Sequence, residues 1–295
     1  MTMMSDVKAV EWDGVRRCYI PQRQLDISPD LKLHRVGDID VDPITYEVLR
    51  NSLVGANFEH GALLQQLCVS PVVIFARDFQ TALLTETGDL VCMGPNLQYF
   101  ANSSSLISRW IMENRAENPG IRPGDVWFCN DPYIGSPHQP DACITVPIFT
   151  DGKLFGWVSN IVHYLDVGGP VTGMNFDAHH VWEESPLFPA MQIAENGRIR
   201  DDLVNLFVRQ SRLPLMIATD IKAAIASCET ARRKIEGLIE RYGADTVKAV
   251  MNGMLATGSK LFSDRLSTIP DGRWSHRIHT EGAFKDDRET YCVVM

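Results

Sequence analysis

The stretch from Asn130 to Gly169, NDPYIGSPHQPDACITVPIFTDGKLFGWVSNIVHYLDVGG, constrains this chain more than any other. Two runs rich in β-branched and aromatic residues, Cys143–Phe149 and Leu154–His163, flank Thr150-Asp151-Gly152-Lys153, and a third run, Val126–Cys129, precedes them. Asp-Gly marks a two-residue type I′ turn, because both central residues must take positive φ. The pattern predicts a hairpin. With Thr150 facing Lys153, counting back sets Asp141 against Val162 and Pro140 against His163. Asp141 and His163 are then diagonal neighbours, roughly 5–8 Å apart between Cβ atoms.

If the first strand joins as a meander, it ends at the same edge. Its outgoing loop carries Asn130, Asp131 and His138, with Gly135, Pro137 and Pro140 excluding a helix. His138, Asp141 and His163 are thus delivered to one place, with Asp166 just beyond. A loop histidine is more often a satisfied polar residue than a ligand; the hairpin register is what favours the metal. Two imidazoles and a carboxylate without thiolate suit a divalent ion such as manganese, iron(II) or zinc, and leave coordination positions for water or substrate. Asp166 is the expected catalytic carboxylate, either orienting His163 or serving as a fourth ligand. Gly168 and Gly169 are candidate cofactor-binding residues, since consecutive glycines can turn N–H groups toward an anion, although such a pair is more often a tight turn. His179, His180 and Glu184 are spare ligands with no fixed direction.

The words NDPYIGSPHQPD and PIFTDGKLFGWVSNIVHYLDVGG resemble the hydantoinase B superfamily, whose pattern is close to NDPY-x-G-G-T-H-x-P-D, then P-x-F-x-D-G, then H-x-x-D-x-G-G. DPITYEVLRNSL, SPVVIFARDFQTAL, RPGDVWFCNDP and ERYGADTV carry the resemblance from about Val41 to Met295. That superfamily includes metal-bearing subunits of biotin-independent acetone and acetophenone carboxylases, along with ATP-dependent hydantoinases and oxoprolinases. The resemblance implies that His138, Asp141 and His163 hold the metal. It also implies one subunit of a hetero-oligomeric ligase that carboxylates a ketone with bicarbonate, without biotin, while a kinase-like partner subunit uses ATP to phosphorylate both substrates. The N-terminal arm and the details HQPD and KLFGWVSN favour the carboxylase branch. The alternatives are ATP-dependent opening of a cyclic amide and a non-catalytic scaffold.

Three departures stand out. Asn96-Leu97-Gln98-Tyr99-Phe100 lacks the histidine of a Pro-Val-His-Leu-Gly-like stretch, Gly135-Ser136-Pro137 replaces Gly-Gly-Thr, and Thr172-Gly173 replaces Pro-Gly. The first weighs against hydantoin chemistry. Family members are generally longer, so a shortened subunit, or one completed by another chain, is expected.

The rest of the chain reads as α+β. An N-terminal docking arm (1–40) precedes an α+β domain (41–200) whose mixed or antiparallel sheet carries the metal; a long helical hairpin (201–268) and the start of a further β region (269–295) follow. Asp42 caps and Pro43 opens a helix on which Glu59 and His60 belong to a polar face. Val72–Phe75, Thr81–Thr85 and Leu90–Met93 read as strands; Arg77 and Asp78 between them either pair with each other, the favoured reading, or reach the site; and Ser103–Ala116 reads as an amphipathic helix. Gly253–Lys260 has Ser before Lys in a helical context and is rejected as a phosphate loop. The formal net charge of −9 speaks against nucleic acid. The 7 cysteines never form C-x-x-C, as expected of reduced thiols. No apolar run is long enough to span a bilayer, and a cytoplasmic address is expected.

Overall fold

The Asp42 carboxylate accepts the Thr45 N–H at 3.0 Å and Pro43 takes the first helical position, which starts α1 (Pro43–Leu67) where the cap signal lies. In this computed structural model, which describes residues 18–100, 102–281 and 290–294, the chain continues through β1 (Phe79–Thr85), β2 (Leu90–Met93), α2 (Ser103–Arg115), β3 (Val126–Cys129), β4 (Asp141–Thr150) and β5 (Lys153–His163). Then come β6 (Met191–Glu195), β7 (Arg198–Ile199), α3 (Asp201–Val208), α4 (Pro214–Tyr242), α5 (Ala244–Leu266), β8 (Arg277–Glu281) and β9 (Thr290–Val294). The first 7 strands form one sheet in the order β2-β1-β5-β4-β3-β6-β7, and every neighbouring pair is antiparallel. β8 and β9 make a separate two-stranded sheet.

The central strands are buried on both faces, so they read as continuous apolar runs. On one face Ala142, Ile144, Val146 and Val158 pack with Leu49 and Leu53 of α1 and with Ile221 and Cys228 of α4. On the other, Cys143, Trp157 and Ile161 pack with Ile107 and Ile111 of α2 and with Leu31. The described part of the arm lies on its own chain: Leu33 bridges Leu154, and the His34 N–H reaches the Leu154 carbonyl at 2.9 Å. Residues 1–17 of the arm lie outside the described residues.

Val72–Ala76 is a single π-helical turn, not a strand. Of that run only Val73 is buried, while Phe75 is 82% exposed, so it has no second strand face to fill, and Arg77 closes it in the left-handed region at φ 54°. Gly243, at φ 84°, joins α4 to α5. α4 buries Ile217, Ile221, Ala224, Ile225, Cys228 and Ile235, whereas α5 buries Val247, Val250 and Met251 and leaves Leu261 and Phe262 exposed. Among the described residues no helix is long and apolar enough to cross a membrane.

The hairpin turn forms as expected, with Asp151 at φ 48°, Gly152 at φ 72° and Thr150 facing Lys153. The register then slips. Phe149 faces Leu154 but Ile148 faces Gly156, which leaves Phe155 as an extra residue on β5. Leu154 and Trp157 lie in the core on the α2 side and Phe155 in the core on the α1 side, so the bulge resets the alternation. Beyond it Asp141 pairs with His163, and Val162 with Ala142. Directly opposed residues share a face, and a slip of one exchanges faces. The diagonal relation read from the sequence is therefore corrected: without the bulge the two side chains would lie on opposite faces. Buried Lys248 of α5 clamps the bulge, donating to the Phe155 carbonyl and, at 2.5 Å, to Glu86 Oε2.

Candidate metal centre

β3 ends at Cys129, opposite Cys143, so the loop that follows must return across the same sheet edge to start β4. Asn130 pins this loop. Its amide donates to the carbonyls of Gln139 at 2.9 Å and Pro186 at 3.1 Å, and its side-chain oxygen accepts the Phe188 N–H at 2.6 Å. Gly135 passes so close to α2 that a Cβ there would lie 2.9 Å from Leu106 Cβ. The Asp141 N–H then reaches the His138 carbonyl at 3.0 Å and closes the turn. Much of NDPYIGSPHQPD thus serves to present His138.

The three residues singled out by the strand-end argument converge. Asp141, fully buried at the first position of β4, has Oδ1 2.9 Å from His163 Nδ1 and Oδ2 3.0 Å from His138 Nε2. The two imidazoles meet edge to face, with centroids 5.0 Å apart. One donor atom from each of the three lies within 4.8 Å of the others. An ion with bonds of roughly 2.0–2.1 Å spaces its donors by about 3.4 Å, so the cluster needs only small movements to take one. The donor chemistry also fits: burial holds the His138 imidazole below its usual range, against the pull of Asp141, and a metal binds the neutral ring.

Two further residues complete the cluster: Tyr99, which sequence reasoning did not place there, and Asp78, for which it favoured an ion pair with Arg77 over reach to the site. Tyr99, on a single 3-10 turn (Gln98–Phe100), donates its hydroxyl to Asp141 Oδ2 at 3.2 Å. Partial burial and then the carboxylates of Asp141 and Asp78 raise its phenol, which keeps it a donor. Asp78 has Oδ2 4.0 Å from His163 Nδ1, and its backbone carbonyl accepts the His163 N–H at 3.0 Å. It turns to the site and forms no ion pair with Arg77; its other oxygen, Oδ1, is buried without a protein partner, as suits a donor set completed by an ion. Burial raises the Asp78 carboxyl, with His163 opposing. Tyr99→Phe is expected to weaken metal binding about tenfold, as loss of an outer partner does, with the unfolding midpoint nearly unchanged. Competition against a chelating dye measures this, and equal affinity would remove Tyr99 from any such role.

The other candidates fall elsewhere. Asp166 is fully buried and accepts the N–H of Arg212 at 2.6 Å, Arg212 Nη1 at 2.9 Å and the Gly168 N–H at 3.2 Å, tying its loop to the approach to α4 and not to His163. Gly168 and Gly169 have φ of 95° and 86°, and a Cβ on Gly168 would meet the Gln210 carbonyl at 2.9 Å, so the pair makes a close crossing. Their carbonyls accept Ser185 Oγ at 2.9 Å and Arg212 Nη2 at 2.5 Å. His180 pairs with Glu183 at 3.1 Å. His60 is not on a polar face: it is buried, 3.1 Å from Asn160 Nδ2, and burial pushes it down to about 3. Glu59 pairs with Lys234 at the surface. Glu184 joins His138, Pro140, Gly173, Met174 and Phe176 around a cleft of about 180 Å³ beside the cluster.

The sequence model of the family described as hydantoinase B/oxoprolinase matches residues 42–293. The delta subunit of acetophenone carboxylase from Aromatoleum aromaticum is 34% identical over 201 residues, 68% of this chain and 29% of that protein. The beta subunit of caprolactamase from Pseudomonas jessenii is 31% identical over 237 residues, 80% of this chain and 40% of that protein. The crystal structure of ATP-dependent caprolactamase from Pseudomonas jessenii superposes with a TM-score of 0.76 at 27% identity, over 87% of this chain and 45% of that one. Nucleotide-free acetone carboxylase shares the fold, with a TM-score of 0.70 at 24% identity over 84% of this chain and 33% of that one. The chain thus spans less than half the length of each.

Proposed function

We infer the function from the premise that this chain belongs to the hydantoinase B/oxoprolinase family: it is the metal-bearing part of a cytoplasmic, ATP-dependent, hetero-oligomeric enzyme that carboxylates a ketone of the acetone or acetophenone type with bicarbonate. The observation that carries this reading is the convergence of His138, Asp141 and His163. The likeness to an acetophenone carboxylase subunit supports the ketone. ATP is consumed by a kinase-like partner subunit, and no biotin is needed.

A bound manganese, zinc or iron(II) ion would act as a Lewis acid toward a developing enolate or carboxylate oxygen. The chain's own groups do the rest. Asp141 supplies the negative charge between the two imidazoles, and Tyr99 steadies its outer oxygen. Met174 and Phe176 offer apolar surface to the body of a small substrate in the adjoining cleft, and Glu184 faces the same space with a carboxylate. Asp166 contributes by position, through Arg212, and the Gly168-Gly169 crossing fixes where that loop ends.

The likeness to caprolactamase favours a second reading, ATP-dependent opening of a cyclic amide, in which the same cluster would handle water. The complex assembled with its partners separates the two. Ketone, bicarbonate and ATP together should yield a 3-oxo acid, with ATP consumption that depends on both ketone and bicarbonate. ATP consumption driven by caprolactam, hydantoin or oxoproline, with none driven by ketone, would replace carboxylation with ring opening. Consumption with neither substrate class would leave a scaffold.

A further inference from the structure

We propose that the cleft between the N-terminal segment and α2 is a binding site for an organic phosphate, separate from the candidate metal centre. The cleft has a volume of about 590 Å³ and receives Arg23 and Arg35 from the N-terminal segment and Arg109 from α2. Leu25, Ile27, Leu31 and Leu33 contribute apolar side chains to the same lining. It lies beside the β1–β2 turn, next to Thr85, which pairs with Gly156; the metal cluster lies past the other end of β1, where Phe79 pairs with Val162. The length of β1 separates the two by roughly 20 Å.

The charges do not cancel locally. The whole chain carries 28 Lys and Arg against 37 Asp and Glu, yet Asp89 is the one carboxylate on this lining. Asp89 engages Arg109 Nη2 at 2.5 Å, and Arg109 Nε is buried with no partner among the described residues. Gly88 allows that arrangement: it sits at φ 78°, and a Cβ there would press on Arg109 Cγ at 3.0 Å, so the arginine lies flat across the turn. Arg35 Nε approaches Glu86 Oε1 only to 3.8 Å, and the other oxygen of Glu86 is held by buried Lys248 at 2.5 Å. Arg23 makes no ion pair among the described residues. Guanidinium forks match the oxygens of a phosphate group, and three of them on one lining suit a phosphate dianion better than a carboxylate monoanion. The leucine and isoleucine side chains beside them favour a phosphate carried on an organic body.

Calorimetric titration of the full chain with phenyl phosphate and with inorganic phosphate, at physiological salt, tests the site. Using Asp141→Asn protein in parallel removes any contribution from the metal cluster. Saturable one-to-one binding of phenyl phosphate is expected, about tenfold tighter than inorganic phosphate and equal in both proteins, with Arg23→Gln and Arg109→Gln each losing about tenfold. Arg23 makes no ion pair or hydrogen bond among the described residues, so its variant reports on the ligand and not on folding. Absence of saturable binding, unchanged affinity in Arg23→Gln, or loss of binding in Asp141→Asn would each overturn the assignment. Tighter binding of a glutamate-rich peptide than of phenyl phosphate would overturn it in favour of protein docking.

Discussion

Asp141→Asn should yield a folded protein that retains no metal and no metal-dependent turnover. The carboxylate touches both histidines and the Tyr99 hydroxyl, so these three side chains all converge on it. An amide of the same shape can still hydrogen-bond to the rings but carries no charge to offset a dication. Affinity should fall by well over a hundredfold, beyond the roughly 10–100-fold that removal of an outer partner costs. Metal content by mass spectrometry, read beside a denaturant melt, separates loss of the ion from loss of the fold. An Asn variant that keeps a full equivalent of metal would exclude Asp141 as a ligand.

The second large effect lies far from the cluster. Gly156→Ala should destabilise the chain by about 3 kcal/mol, the upper range for forcing extra atoms into a packed interior. The added Cβ would sit 2.5 Å from the Leu84 carbonyl oxygen of β1, and backbone in the middle of a sheet cannot swing aside as a side-chain tip can. For a chain of this size that is a fall in Tm of about 6–12 °C. Gly152→Ala is the internal comparison: its φ of 72° is strained for alanine, but nothing lies within 4 Å of the added atom, so the cost should stay near 1 kcal/mol. Equal melting losses for the two variants would contradict the close approach of β1 and β5 as the reason for Gly156.

Gly156 also marks where the sequence stops being legible. The Asp151-Gly152 turn, the strands on either side and the cap at Asp42-Pro43 are all local signals, and all three appear where local chemistry puts them. The bulge at Phe155 is not local. It depends on Lys248, 93 residues away, reaching the Phe155 carbonyl, and on β1 crowding Gly156, and neither contact leaves a mark on the hairpin's own pattern. Counting from the turn therefore brings the right residues to the right end of the sheet while placing them on opposite faces. The same limit hid Asp78 and Tyr99, which arrive from an irregular turn after α1 and a short 3-10 turn. Their polar tips are ordinary loop residues until β5 lies beside them. Val72–Ala76 misleads for a related reason: its β-branched content suits a strand, but the chain is turning there and offers it one buried side chain.

The most direct test is a crystal of the full chain equilibrated with manganese and measured for anomalous scattering. One peak is expected, bonded at about 2.0–2.3 Å to a nitrogen of His138, a carboxylate oxygen of Asp141 and a nitrogen of His163. Asp78 or solvent would complete its shell. If the three side chains keep their direct hydrogen bonds at saturating manganese and zinc, or if the ion settles away from them, the cluster is not a metal centre.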